Sequence, residues 1–165
     1  MKMFKGKMLI SGVVLTITVI GQIVSAFMLY DPQGNAALIN MGWGVLMVSA
    51  IFGWLPILTF RRKGQVEGRS YIHTTTLVDS GIYAIVRHPQ YVAGALIGLA
   101  LILITPHWLV ALCGLATIVN TYVSTFDEEE GCILKFGDEY REYMQRVPRF
   151  NFIAGIVRVI LSRLM

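Results

Sequence analysis

The chain has 165 residues, of which 55% are hydrophobic and only 15% charged. A soluble domain carries about a quarter charged residues, so the deficit excludes an ordinary water-solvated globule and points to lipid as the solvent. The net charge of +4 does not mark a nucleic-acid binder, because the basic residues fall in four short stretches: Lys2 to Lys7, Arg61 to Arg87, Lys135 to Arg149, and Arg158 with Arg163.

The length suits one domain, residues 1–165. The first apolar run, Met8 to Tyr30, is about 23 residues and long enough for one span. Its basic flank and Val24-Ser25-Ala26 also resemble a signal peptide, but the run exceeds a usual signal core. Asp31-Pro32-Gln33-Gly34-Asn35 is a turn by residue type. A second run, Ala37 to Phe60, places Trp43 and Trp54 towards its ends, as an aromatic belt would. Pro56 loosens its last turn, which a span tolerates where neighbours satisfy the freed carbonyl.

Residues 64–90 are polar and mixed, with a turn at Asp79-Ser80-Gly81 and a short helical turn over Ile82 to Arg87. The third and fourth runs, Tyr91 to Ile104 and Trp108 to Phe126, form a helical hairpin broken at Thr105-Pro106-His107. Gly94 and Gly98 have the spacing that lets helices approach closely. Residues 127–149 form a charged helical segment. The tail, Phe150 to Met165, is short for a span and reads as an interfacial amphipathic helix. Cys113 and Cys132 are expected as free thiols.

The fold class that follows is an all-α membrane protein with about four transmembrane helices plus cytoplasmic interfacial helices. No basic residue lies in 31–40 or 105–107. Four spans with both termini cytoplasmic therefore put all 14 basic residues on one side. On that topology Arg87, His88, Tyr91, Glu128, Glu129, Tyr140, Tyr143 and Arg146 collect at the cytoplasmic interface. Ionisable groups there are costly unless they line a polar cavity or pair with one another.

Each of these residues also has a plainer reading. Arg87 could snorkel to phosphates. His88-Pro89 could be only a helix start. Asp127 to Glu130 could be a solvated face, and the tyrosines interfacial anchors. His73 and His107 read as structural. No zinc-ligand spacing, P-loop or nucleophile elbow is present, so no metal is expected.

In combination the residues carry more. Leu77-Val78-Asp79-Ser80-Gly81-Ile82-Tyr83, Arg87-His88-Pro89-Gln90-Tyr91, Glu128-Glu129, Phe136-Gly137-Asp138-Glu139-Tyr140, Tyr143 and Arg146-Val147-Pro148 resemble, in this order, the integral-membrane methyltransferases. That family includes isoprenylcysteine carboxyl methyltransferases and phospholipid N-methyltransferases. The resemblance covers about residues 70–150, and this region would hold the cofactor and the chemistry. It departs from the family pattern at Ala93, often glycine, and Ile82, often proline.

The resemblance implies S-adenosyl-L-methionine as methyl donor and a lipophilic acceptor entering from the bilayer. It implies Arg87, Glu128 and Arg146 as catalytic residues, and His88, Tyr91, Glu129, Tyr83 and Tyr140 around the cofactor. Arg87 or His88 would take the donor's carboxylate, Glu129 its ammonium or a ribose hydroxyl, and Tyr91 its adenine. A carboxylate acceptor is already ionised at neutral pH and needs only a cation. An amine acceptor would need a base, for which Glu128, Glu129 or His88 is suited. Arg146-Val147-Pro148 favours carboxyl methylation of a prenylcysteine-like substrate over N-methylation of a phospholipid amine. A membrane reductase and a non-enzymatic scaffold fit less well. Membrane lipids are the expected surroundings and nucleic acid is not a partner. The oligomeric state stays open.

Overall fold

The computed structural model describes residues 2–63 and 76–164. Within them the chain is helical, with no strand among the described residues: α1 (Lys2–Met28), α2 (Ala36–Lys63), a 3-10 turn (Gly81–Ala84), α3 (Pro89–Ile104), α4 (Trp108–Phe136), α5 (Asp138–Arg146) and α6 (Phe152–Leu164). His73 and the polar stretch 64–75 lie outside the described residues. The all-α expectation holds.

Among the described residues, three helices are long and apolar enough to cross a membrane: Ile10–Met28, Ala36–Arg61 and Trp108–Phe136; Pro89–Ile104 and Phe152–Ser162 are shorter apolar helices. The fourth expected span is α3, whose 16 residues rise about 24 Å against a hydrocarbon core of about 30 Å. The exposed side chains are those of a lipid-facing protein. Phe27, Met47 and Trp108 are largely exposed, whereas Gln22, Ser49, Thr117 and Thr121 are buried.

The turns follow from their residues. Asp31 Oδ1 accepts from the Gln33 N–H at 2.9 Å, and Asn35 Oδ1 accepts from Ala37 and Leu38 to start α2. Such side-chain acceptors satisfy the orphan N–H groups of a first turn. His107 does the same for α4, its Nδ1 accepting from the Leu109 N–H at 3.2 Å, so the structural reading of this histidine is the observed one. One expectation shifts. The acidic run Asp127 to Glu130 does not begin a separate segment but continues α4 to Phe136. Nothing in that stretch breaks a helix before Gly137, whose φ of +60° ends it.

The chain folds as two compact units. One comprises Met1–Ile51 and Tyr91–Asp127, the other Phe52–Gln90 and Glu128–Met165. In the first, small residues bring helices together. A Cβ at Gly98 would lie 3.1 Å from the Gly114 carbonyl oxygen, and one at Gly42 would lie 2.6 Å from Ile104 and 2.8 Å from the Ala100 carbonyl oxygen. Polar side chains then join helices directly. Gln22 Nε2 donates to the Gly98 carbonyl at 2.8 Å, and Ser49 Oγ to the Ala93 carbonyl at 2.8 Å. Within lipid, close packing and such bonds replace the hydrophobic drive as the source of helix association.

The second unit is built around the 3-10 turn, the end of α4, α5 and α6. Gly81 at φ +66° packs its α-carbon on Thr59 of α2, where a Cβ would sit 3.1 Å from the threonine. Tyr140, Tyr143 and Val147 form its buried core, with Leu77, Cys132, Ile133, Phe136 and Met144 packed around them. Phe152 of α6 lies 4.8 Å from Phe52, ring centre to ring centre. The outward face of α6 is apolar and exposed at Ile153, Val157, Ile160 and Leu161.

Candidate active site

Pro89 opens α3, and its missing N–H costs nothing at a first helical position. Arg87 and His88 therefore stand in the short link between the 3-10 turn and α3. The Arg87 N–H donates to the Pro148 carbonyl at 3.0 Å, tying this link to the segment that follows α5. Tyr143 adds a second tie, its hydroxyl donating to the Tyr83 carbonyl at 2.7 Å.

Glu129, on α4, is the centre of the cluster. Its side chain is only 4% exposed, and three cationic or potentially cationic groups converge on it. Arg87 Nη1 lies 2.8 Å from Oε1, and His88 Nε2 lies 3.1 Å from the same oxygen. Arg149 grips both oxygens, with Nε 3.1 Å from Oε1 and Nη2 2.5 Å from Oε2. Two-point guanidinium–carboxylate contact is the strongest common form of such a bond. Glu128 is different. Its side chain is 40% exposed, and one oxygen stands 3.8 Å from His88 Nδ1.

The cluster is not saturated. Arg87 Nε is buried without a hydrogen-bond partner, and its Nη1 meets Glu129 as an ion pair without hydrogen-bond alignment. Two guanidiniums, one buried and one partly buried, face one buried carboxylate. An arrangement of that kind suits an anionic group of a ligand, since an unpaired buried donor is costly until it is satisfied.

The remaining singled-out residues are spread more widely. Arg146 closes α5 and pairs with Asp79 at 3.6 Å, both side chains about half exposed. Arg149, which the sequence alone did not single out, is, rather than Arg146, the arginine after α5 that reaches Glu129. The available signal was a second arginine just beyond Val147-Pro148, where the chain leaves the helix in extended geometry (Val147 φ −115°, ψ 130°). Tyr91 lies in the other compact unit, where it lines a small cleft with Ser11, Gly12, Leu15, Ser124 and Asp127. Tyr83 packs on Phe60, ring centres 5.0 Å apart, and Tyr140 packs on Tyr143 at 5.6 Å.

Burial, above all, holds the phenols of Tyr83, Tyr140 and Tyr143 far above the ordinary tyrosine value of 10.0. The carboxylate of Glu128 adds to this at Tyr83 and that of Glu129 at Tyr140. The native phenols thus bind their protons more tightly than the unfolded ones. Stability from this source is intact below pH 10 and is lost as the pH rises above it. In an alkaline titration followed by near-ultraviolet absorbance, Tyr83, Tyr140 and Tyr143 should stay un-ionised until the protein unfolds. Simultaneous ionisation of all seven tyrosines near the ordinary value would contradict the burial described.

The phospholipid methyltransferase family matches residues 37–139. A human protein named protein-S-isoprenylcysteine O-methyltransferase is 39% identical over 90 residues, covering 50% of this chain and 30% of the relative. The protein of the same name from Schizosaccharomyces pombe is 29% identical over 122 residues, covering 67% of this chain and 51% of the relative. The match thus spans about a third of the mammalian relative's length and half of the yeast one's. No solved structure matches the chain significantly.

Proposed function

Because the chain belongs to the phospholipid methyltransferase family, we propose that it is an integral-membrane enzyme that transfers a methyl group from S-adenosylmethionine to a lipophilic acceptor. The acceptor proposed is the carboxylate of a prenylcysteine-like molecule, as the names of the human and yeast relatives indicate for those proteins. The observation that carries the reading is the buried cluster of Arg87, His88 and Arg149 on Glu129, with guanidinium donors to spare.

When bound, the donor supplies an electrophilic methyl group on a sulfonium. The residues present suit its polar end. Arg87 has an unused N–H for a carboxylate, and Glu128 has a partly exposed carboxylate beside His88 for an ammonium or hydroxyl. Glu129 serves by holding Arg87, His88 and Arg149 in position. Tyr83 and Tyr140 are assigned to the cofactor's surroundings, and Arg146 to the acceptor. A carboxylate acceptor needs no base. Orientation and exclusion of water therefore carry most of the rate. Arg146 holds the acceptor's charge, and desolvation makes the carboxylate oxygen a better nucleophile. The positive-inside distribution supports a cytoplasmic site and cytoplasmic termini, with the acceptor arriving sideways from the bilayer.

N-methylation of a phospholipid amine is the second reading, favoured by the description of the matching family and by the Glu128–His88 pair as a base. The deciding experiment incubates purified protein with methyl-labelled S-adenosylmethionine and membranes, then treats the lipid-soluble product with mild base. Release of volatile labelled methanol is the expected result and identifies an ester. Label retained in the lipid would replace the carboxyl reading with the amine one, and no transfer of label would remove both.

A further inference from the structure

The two arginines that meet on Glu129 come from segments with little regular structure of their own. Arg87 follows the 3-10 turn, and Arg149 follows α5 across Val147-Pro148. Both upstream elements end in carbonyls with no partner in a continuing helix. Such last-turn carbonyls need an outside donor.

Helix α6 brings one. Arg158 donates from one terminal nitrogen to the carbonyl of Arg146, at the end of α5, and from the other to the carbonyl of Ala84, at the end of the 3-10 turn. A guanidinium can do this with both nitrogens of one rigid fork, and its charge is favourable at the negative end of α5. The helix is brought close enough by a residue without a side chain. A Cβ at Gly155 would lie 1.8 Å from the Ile85 carbonyl oxygen. Asn151 caps the start of α6 by accepting from the Ala154 N–H at 3.0 Å, and Phe152 anchors it on Phe52. The Arg87 N–H to Pro148 carbonyl bond then runs directly between the two segments that Arg158 joins.

We propose that Arg158 is a positioning residue: through one guanidinium it clamps the ends of the 3-10 turn and of α5 together, and so sets where Arg87 and Arg149 meet Glu129. Its bonds are to the Arg146 and Ala84 backbone carbonyls, not to the Glu129 carboxylate. The amphipathic tail is thus part of the active-site framework as well as a membrane-surface element. The effect on catalysis rests on the methyltransferase reading, whereas the clamp itself does not.

Two variants test this. Arg158→Met keeps the apolar stem and removes the fork. Arg158→Lys keeps the charge but offers a single ammonium, which cannot hold both carbonyls in the same planar geometry. Amide hydrogen exchange of the detergent-solubilised full chain is the first readout, because it needs no activity. In Arg158→Met the Arg87 amide is expected to exchange about tenfold faster, with α1 and α3 unchanged, and Arg158→Lys should fall between. The kcat/KM for methyl transfer should fall by about tenfold in Arg158→Met, on the scale of one lost charged hydrogen bond. In an Arg149→Met background the same change should cost less than about twofold, because the residue it positions is already gone.

Wild-type exchange at Arg87 in Arg158→Met would overturn the clamp. Equal acceleration in α1 and α3 would also overturn it, making Arg158 a fold-wide support. Local acceleration with undiminished kcat/KM, or equal losses in both backgrounds, would remove the positioning role. A wild-type protein that transfers no methyl group would defeat the functional reading instead, and the exchange data would still decide the clamp.

Discussion

Replacing Glu129 by glutamine is expected to abolish methyl transfer for practical purposes, with a loss of about a thousandfold or more in kcat/KM, and to destabilise the protein. The carboxylate is the common anchor of Arg87, His88 and Arg149 and is almost wholly buried. Glutamine is nearly the same size but neutral, so the buried guanidinium of Arg87 and the partly buried one of Arg149 lose their counter-charge. Removing one partner of a buried ion pair costs about 3–5 kcal/mol. For a chain of this length that corresponds to a fall of about 10 °C in Tm. Thermal unfolding in detergent checks the stability arm, and calorimetric titration with S-adenosylmethionine checks the site. Weakened donor binding together with lost turnover is the expected pattern. Intact binding with lost turnover would give Glu129 the role of a base. An unchanged Tm would show that Glu129 does not anchor the arginines as an ion.

Arg149→Met should produce the next largest effect, a loss of about a hundredfold in kcat/KM. Lysine at this position should recover only part of it. The native arginine holds both carboxylate oxygens of Glu129 at once, and lysine, a point charge, cannot reproduce a two-point grip. Arg146→Ala provides the contrast. Its pair with Asp79 is long and half exposed, and exposed pairs contribute at most about 1 kcal/mol. Little change in Tm is therefore expected from Arg146→Ala. Its kinetics decide its assignment: lost turnover with intact donor binding places the acceptor on Arg146, and near-normal kinetics leave Arg149 as the arginine that matters. If Arg149→Met retained wild-type kcat/KM, the Glu129 cluster would not be the centre of the chemistry.

Much of the architecture was legible because it depends on local properties. The lengths of the apolar runs, the turn residues at Asp31 to Asn35 and the proline after His88 act within a few residues of themselves, and the helices begin and break where these place them. The end of α4 was less legible. Charge in Asp127 to Glu130 looked like a boundary, yet charge does not end a helix. Gly137 does, because its backbone turns to positive φ.

The pairing of residues within the cluster was hidden for a different reason. Arg146 and Arg149 are three residues apart and equal in chemistry. Which one reaches Glu129 depends on how the chain leaves α5 through Val147 and Pro148. Likewise Glu128 and Glu129 are adjacent on α4, and only the way the end of that helix packs within the second unit buries one and leaves the other 40% exposed.

By itself, then, the sequence determined an all-helical membrane protein, its apolar runs and turns, and the membership of residues 37–139 in a methyltransferase family. Hydrophobic length, helix propensity and turn chemistry are set by neighbours along the chain. Tertiary structure alone decided that Glu129 is the buried carboxylate, that Arg149 joins Arg87 and His88 around it, and that α6 docks on the Ile85 carbonyl with Arg158 bridging two helix ends. Those outcomes depend on how a helix end is seated, the direction in which the chain leaves a helix and the approach of distant backbones, which are fixed only when the pieces pack.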